Sequence, residues 1–192
     1  MVMVGAFLIQ LSACVKTGDQ SQSLIDLGAI VPETLPQMEL WRLLAALFLH
    51  AGILHLIFNL WAFVQLGYAW EVLFGAPSFL VTFFVTGLIA SLFSAATVKP
   101  PGSVGASGAI FGLLSALIVI LTRAPAWRTA QWTRRLASQL SIWAAITIAA
   151  GFLSPRIDNA AHIGGLLAGV AVGAVLPTTR VGIRDTSPKE NA

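Results

Sequence analysis

Long apolar runs separated by short polar breaks are the feature that most restricts how this chain can fold. A helix needs about 20 mainly apolar residues to cross the hydrocarbon core of a bilayer. Charged residues make up only 10% of the chain, against roughly a quarter in a soluble domain. The sequence therefore predicts an all-α polytopic membrane protein with five clear spans, covering residues 51–72, 78–98, 105–122, 136–153 and 159–176.

A sixth apolar segment, residues 1–15, is shorter and is compatible with three interpretations. It can be a short or clipped transmembrane helix, a signal peptide, or a lipoprotein signal in which Cys14 is lipid-modified. Basic residues open a signal peptide, and none precedes Lys16. The helix is therefore preferred, which gives a bundle of six helices in a single transmembrane domain, residues 1–176, followed by a polar and disordered tail, residues 177–192.

The longest connection joins the first two spans, from Lys16 to His50. Its second half, residues 38–48, is amphipathic and contains Trp41 and Arg42, which are typical of a segment lying in the membrane interface. The alternative is that this stretch simply extends the second span.

Basic residues set the expected orientation and exclude some functions. The positive-inside rule puts the side that holds most of them in the cytoplasm, and with six spans both termini are then cytoplasmic. The plasma (inner) membrane is the location that we expect. These residues form no continuous stripe, so no nucleic-acid partner is expected. A single cysteine excludes an intrachain disulfide and a thiol pair for metal. The cytoplasmic set is Arg123, Arg128, Arg134, Arg135, Arg180, Arg184 and Lys189, against Lys16, Arg42, Lys99 and Arg156 on the other side.

Few polar residues within the spans can carry chemistry, and they fall at one depth. Ionisable groups inside a bilayer are costly and by default mark a functional site. The second, fourth and sixth spans run in the same direction, and each carries its polar group near its first residues. We therefore expect one polar layer toward the non-cytoplasmic face, formed by His55, Asn59, Ser107 and His162.

Small residues recur every four positions in the fourth and sixth spans. Such ridges let helix backbones approach closely in lipid. If the two ridges pack against each other, the Ser107 hydroxyl and the His162 imidazole come within hydrogen-bonding distance. The alternative is that each ridge packs against some other helix. The ridges are Gly108, Gly112 and Ala116 in one span, and Ala161, Gly165, Gly169 and Gly173 in the other.

Ser107 and His162 have the chemistry of a nucleophile and its base. A serine hydroxyl is a weak nucleophile until a neighbouring base removes its proton. Gly105, Ala106 and Gly108 allow close approach of a substrate, and a helix N-terminus offers free N–H groups to a developing oxyanion. A lone membrane serine is usually bonded to its own backbone, so it is the matching depth of His162 that favours catalysis.

His55 and Asn59 are four residues apart and share one helix face. Each can donate a hydrogen bond to an oxyanion, in addition to the backbone N–H of Ser107. The alternative is a polar clasp between helices. His50 lies off this face and is interpreted as structural or as lining the rim.

Asp158 lies four residues before His162 and is a candidate third member of a triad. Aspartate and asparagine are favoured at helix N-termini. We therefore expect Asp158, together with Asn159, to cap the sixth span. A dyad without a third member is sufficient if packing fixes the imidazole.

Taken together, these residues resemble the rhomboid family of intramembrane serine proteases. The resemblance runs from about Trp41 to Gly173 and departs from the family at the N-terminus, where the first span looks short. Each motif is weak alone, but their order and shared depth are specific. The motifs are Trp41-Arg42, His50, His55-xxx-Asn59, Gly105-Ala106-Ser107-Gly108 and Ala161-His162-Ile163-Gly164-Gly165.

The resemblance implies a six-helix fold and a Ser107–His162 dyad. It implies an oxyanion site of His55, Asn59 and the Ser107 N–H, and cleavage of single-span membrane proteins near their outer ends, without metal or other cofactor. It also implies lateral substrate entry beside the fifth span.

Two alternatives stay open. One is an inactive rhomboid-like protein that binds membrane helices; the other is a small transporter, which would place polar sites near the midplane with an internal repeat.

Overall fold

We describe the fold from a computed structural model, which covers residues 2–32, 39–97, 102–154 and 157–178. Within these ranges the chain is helical, with no β-strand beyond one isolated bridge between Ile30 and Ser103. A short 3-10 helix, Ala46–Phe48, precedes the fourth α-helix. The α-helices are α1 (Val2–Thr17), α2 (Gln20–Leu27), α3 (Arg42–Ala45), α4 (Ile53–Phe74), α5 (Ala76–Thr97), α6 (Ser107–Arg123), α7 (Ala126–Thr129), α8 (Gln131–Leu153) and α9 (Asn159–Val175).

Six of these helices are apolar and correspond to the six predicted spans. Helices α4, α5 and α8 are long and apolar enough to cross a membrane, whereas α1, α6 and α9 are apolar but have 16 or 17 residues. Seventeen residues reach about 26 Å along a helix axis, slightly less than the hydrocarbon thickness of about 30 Å. The chain is thus an all-α polytopic membrane bundle, as predicted.

The observed helix bounds differ from the predicted spans where backbone or polar contacts decide them. Helix α6 begins at Ser107 instead of residue 105, because Gly105 has φ +124° and cannot be helical. Helix α8 begins five residues before the predicted apolar run, and Arg134 in this first part donates to the Trp127 carbonyl at 2.7 Å. An apolar run marks the part of a helix that lipid surrounds, and the helix itself continues into polar residues.

Helix α6 lies at the centre of the bundle. Leu113, Leu117 and Ile120 along its length are almost completely buried. It packs against α4, α5, α8 and α9, and its contact with α9 is the most extensive of these. A helix that is apolar all round belongs in the interior of a bundle, so α6 is the element on which the others assemble.

Glycine ridges bring α6 and α9 into backbone contact. A Cβ atom added at Gly165 would overlap the Gly108 carbonyl oxygen, and one added at Gly169 would overlap the Gly112 carbonyl oxygen. At the far end Arg123 donates to the Gly173 carbonyl at 2.5 Å and so joins the two helices there. The prediction that the two small-residue ridges pack against each other is confirmed.

Helix α1 packs into the bundle, in agreement with the preferred interpretation of residues 1–15 as a helix. Met3 and Phe7 are buried and belong to the main core. The amide of Gln10 is also buried and bonds to both main-chain polar groups of His50, at 2.7 and 3.1 Å. This apolar helix is therefore tied to the chain just before α4.

The first connection folds back on itself around Arg42. Its guanidinium donates to the carbonyls of Ile25 and Ala29, pairs with Glu39 at 2.6 Å, and lies 4.6 Å from the Trp41 ring centre. The buried Arg42 side chain thus connects α3 to the C-terminal end of α2. The alternative that this stretch extends the second span is wrong, because residues 49–52 separate it from α4.

Some predictions concern residues outside the described ranges. These include the tail from residue 179 onward and several basic residues of the orientation argument: Lys99, Arg156, Arg180, Arg184 and Lys189.

The contact between the small-residue ridges of α6 and α9 predicts that one added methyl group there destabilises the protein strongly. We expect Gly169→Ala to lower the free energy of unfolding by about 1–3 kcal/mol, because the helices must separate to admit the new Cβ. Gly5→Ala in α1 is the matched control, since no atom lies within 4 Å of its added Cβ. It should be neutral or stabilising by up to about 1 kcal/mol. Unfolding of the purified proteins in detergent measures both, and equal stability of Gly169→Ala and the parent would contradict the ridge contact.

Candidate active site

The centre of the site is a hydrogen bond between a serine and a histidine on neighbouring helices. Ser107 is the first residue of α6, and its Oγ lies 2.9 Å from Nε2 of His162, in the first turn of α9. The two side chains are 55 residues apart in sequence. The backbone contact at Gly108 and Gly165 brings them together. The distance expected from ridge packing is therefore observed.

An aromatic ring packs against one face of the His162 imidazole. Phe111 stacks on it with ring centres 4.3 Å apart and an interplanar angle of 11°. His162 is only 4% exposed, and its second ring nitrogen, Nδ1, is buried without a hydrogen-bond partner among the described residues. Sequence reasoning missed Phe111, although it lies one helical turn after Ser107, on the same face of α6.

The side chain of Asp158 caps α9, as predicted. Its Oδ1 accepts from the Ala161 N–H at 3.0 Å, and its Oδ2 accepts from the buried Ser94 hydroxyl at 2.5 Å. Neither carboxylate oxygen is bonded to His162. Ser94, on α5, was not identified from the sequence and ties this cap to a third helix.

Asn159 differs from its predicted role as a second capping residue. Its side-chain Nδ2 donates to the Ile148 carbonyl of α8 at 3.1 Å. Gly151 makes room for this side chain, because an added Cβ there would overlap it. The amide therefore joins α8 to α9, and the cap is left to Asp158 alone.

The loop before Ser107 is held by the first connection of the chain. Gly105 donates its N–H to the Ala46 carbonyl at 2.8 Å, and Ser103 exchanges two backbone hydrogen bonds with Ile30 at 2.8 and 3.1 Å. These contacts fix where α6 starts. Because the first N–H groups of a helix have no partner within the helix, the Ser107 N–H is available at this point.

His55 reaches the same loop from α4. An added Cβ at Gly105 would lie 2.7 Å from His55 Cε1 and 2.9 Å from Nε2, so this edge of the ring covers Gly105. On its other side, His55 Nδ1 accepts from the Ala51 N–H at 3.3 Å. Glycine is required at position 105 for two reasons, the positive φ and the histidine ring above it.

Asn59 is buried one turn further along α4, and its Nδ2 donates to the His55 carbonyl at 2.9 Å. Its described hydrogen bond is thus local, and none joins it to Ser107 or His162 in the part of the chain that the structure covers. An amide nitrogen carries two N–H groups, which leaves a second donor for another partner.

His50 is completely buried and therefore does not line a rim. Its Nδ1 lies 3.2 Å from the Phe48 carbonyl, and its ring meets that of His55 edge-on at 5.1 Å between centres. Burial, with a smaller effect from His55, lowers the pKa of His50 to about 4. The ring is neutral at physiological pH, which agrees with a structural role.

Comparison with known proteins gives one family. The model described as Rhomboid domain matches residues 37–178, well over half of the chain. The rhomboid protease GluP of Bacillus subtilis (strain 168) is 35% identical over 162 residues, which are 84% of this chain and 31% of that protein.

Two eukaryotic relatives show a similar level of identity. RHOMBOID-like protein 6, mitochondrial, of Arabidopsis thaliana is 38% identical over 165 residues, covering 83% of this chain and 51% of the relative. Rhomboid-like protease 2 of Toxoplasma gondii is 33% identical over 153 residues, covering 79% and 53%. The chain thus spans from about a third to about half of the length of these three relatives.

The contacts of Asp158 predict that the cap, and not the charge, is what matters at this position. Asp158→Ala should lower the free energy of unfolding by about 0.5–2 kcal/mol, because the Ala161 N–H loses its partner. Asp158→Asn should retain most of the stability, since asparagine caps almost equally well. Asp19→Ala, which removes the comparable cap of α2, is the control. Equal destabilisation by both Asp158 variants would contradict the capping role.

Proposed function

The chain belongs to the rhomboid family, and we propose that it is an intramembrane serine endopeptidase that cleaves membrane-protein substrates. The observation that carries this proposal is the 2.9 Å contact between Ser107 Oγ and His162 Nε2. A positioned imidazole beside a hydroxyl is the device that activates serine for attack on a carbonyl.

In the proposed reaction, Ser107 Oγ attacks the scissile carbonyl carbon while His162 Nε2 takes the hydroxyl proton. The tetrahedral intermediate collapses when His162 returns this proton to the leaving amine, and an acyl-enzyme ester remains. Water then attacks the ester, again with His162 as base, and Ser107 is released with its proton. No metal or cofactor takes part.

The oxyanion is proposed to be stabilised by three donors. The Ser107 N–H lies at the start of α6, where the helix leaves it unpaired. His55 presents its Nε2 edge to the same loop through Gly105, and Asn59 lies one turn further along α4. Removing one such donor typically lowers the rate by about 10²–10³-fold.

Stacking takes the place of a third catalytic residue in this proposal. The Phe111 ring and the tight fit around His162 restrict the imidazole to one orientation. Asp158 is engaged with Ser94 and with its own helix. A dyad is sufficient when packing supplies the orientation that a carboxylate supplies in a triad.

Substrates are proposed to be single-span membrane proteins, cleaved near their non-cytoplasmic ends and admitted laterally beside α8. The dyad lies at one end of the bundle, and Arg123, Arg128 and Arg134 lie at the opposite end, between the last residue of α6 and the first turn of α8. The positive-inside rule would then place the dyad toward the outer face of the plasma (inner) membrane, with both termini in the cytoplasm.

An inactive rhomboid-like helix-binding protein is the alternative function. Loss of one or both dyad residues is what characterises such a protein, and this chain has both in contact. A transporter is disfavoured because Ser107 and His162 lie in the first turns of their helices and not near the middle of the helices.

Replacement of Ser107 provides the direct test of the nucleophile. Ser107→Ala should reduce cleavage of a transmembrane reporter by about 10⁴-fold or more and abolish labelling by a fluorophosphonate. Ser115→Ala is the matched control: it is a buried serine in the same helix that bonds to the Leu166 carbonyl, two turns from the dyad. It should retain both signals. Undiminished cleavage by purified Ser107→Ala would contradict the assignment.

The crowded approach to Ser107 predicts a small residue before the scissile bond. Gly105 is covered by His55, Ala106 is completely buried, and Gly108 packs against Ala90. In a reporter scanned at that position, glycine, alanine or serine should give a kcat/KM about 10–10²-fold above phenylalanine or tryptophan. The same scan several residues upstream is the control. Efficient cleavage after phenylalanine or tryptophan would refute the prediction.

A further inference from the structure

Two glutamines of the N-terminal segment bond to the chain immediately before α4. Gln10 in α1 and Gln20 in α2 lie outside residues 37–178, the region that the family model matches. Gln20 donates to the Ala51 carbonyl at 2.9 Å, and Gln10 bonds to the main chain of His50. Gln10 is 1% exposed within a mainly apolar helix, where an amide is costly to bury unless it is hydrogen-bonded.

The Gln10 amide fixes the direction of the Ala51 N–H. Its Nε2 donates to the His50 carbonyl at 2.7 Å, and its Oε1 accepts from the His50 N–H at 3.1 Å. The His50 carbonyl and the Ala51 N–H belong to one planar peptide group. When the carbonyl is held in place, the N–H on the other side of the same plane is held as well.

The Ala51 N–H in turn determines which nitrogen of His55 carries the proton. It donates to His55 Nδ1 at 3.3 Å, so Nδ1 is an acceptor and has no proton. A neutral imidazole then carries its single proton on Nε2. This is the nitrogen on the ring edge that covers Gly105, two residues before Ser107.

We propose that Gln10 is a positioning residue for the oxyanion site: through the His50–Ala51 peptide it holds His55 as an Nε2–H donor facing the loop that precedes Ser107. The catalytic consequence rests on the proposed function, whereas the tautomer is a property of the resting protein. Helix α1 thus helps to position the oxyanion site, although it supplies no catalytic residue to that site.

The tautomer can be measured without any activity. The chain has three histidines, so protein labelled with ¹⁵N-histidine gives three pairs of ring-nitrogen NMR signals, which His50, His55 and His162 replacements assign. We expect His55 in the parent to show an unprotonated Nδ1 and a protonated Nε2. In Gln10→Met, which keeps the side-chain length and removes both hydrogen bonds, we expect these signals to shift toward a mixture of tautomers.

Kinetics test whether Gln10 acts through His55. Gln10→Met should lower kcat for a transmembrane reporter about 10-fold with KM changed less than twofold, below the 10²–10³-fold loss typical of removing a whole oxyanion donor. In a His55→Ala background the same change should have no further effect on kcat, because the two replacements then affect one interaction. Gln22→Met is the control, since the Gln22 side chain bonds to Asp26 within α2.

If Gln10→Met does not fold, Gln10→Glu replaces it, because the glutamate retains an acceptor for the His50 N–H and lacks the amide donor. A parent His55 with its proton on Nδ1 would overturn the proposal. So would an unchanged His55 spectrum in the Gln10 variant, or a full 10-fold effect that persists in the His55→Ala background. An inactive parent with the expected tautomer would instead overturn the proposed function alone.

Discussion

Backbone contact between α6 and α9 is the constraint on which the rest of the structure depends. In lipid, apolar side chains gain little by meeting one another, so helices associate where their backbones can approach and their dispersion contacts are dense. Gly165 and Gly169 leave no room for a side chain against the carbonyls of α6. This fit sets both the depth and the rotation of α9 relative to α6. The position of His162 next to Ser107 is a direct consequence, since each lies beside the first small residue of its ridge.

The remaining elements secure this end of the bundle from several sides. Ser94 and Asp158 join α5 to the first turn of α9, and Asn159 joins that turn to α8. The 3-10 helix at Ala46 holds the loop before Ser107 through Gly105. Each contact uses a main-chain or short side-chain polar group that is at least partly buried, where a hydrogen bond is electrostatically stronger than in water. The polar layer is therefore both the candidate site and one of the regions that join the helices.

Much of this arrangement could be predicted from the sequence because it follows from periodic patterns. The apolar runs indicate the spans, and the four-residue spacing from Gly108 to Ala116 indicates the face on which α6 meets α9. Contacts that depend on one side chain meeting a polar group distant in the sequence have no periodic signal. Arg42 bonding to α2, Ser94 bonding to Asp158, and Gln10 bonding to His50 are of this kind. The interhelical bond of Asn159 was missed for the same reason, since a capping residue and an interhelical donor have the same identity and position in a sequence.

The contacts of Asp158 and Phe111 bear on how the proposed Ser107–His162 dyad does without a third ionised residue. A carboxylate buried beside an imidazole stabilises its protonated form, but the carboxylate must itself be desolvated, and in an apolar interior that penalty can exceed the attraction. Asp158 avoids it by accepting hydrogen bonds from a backbone N–H and a serine at the helix end. The Phe111 ring then restrains the imidazole without introducing a charge. Orientation comes from packing at low electrostatic cost, which suits a membrane interior better than a third ionised residue does.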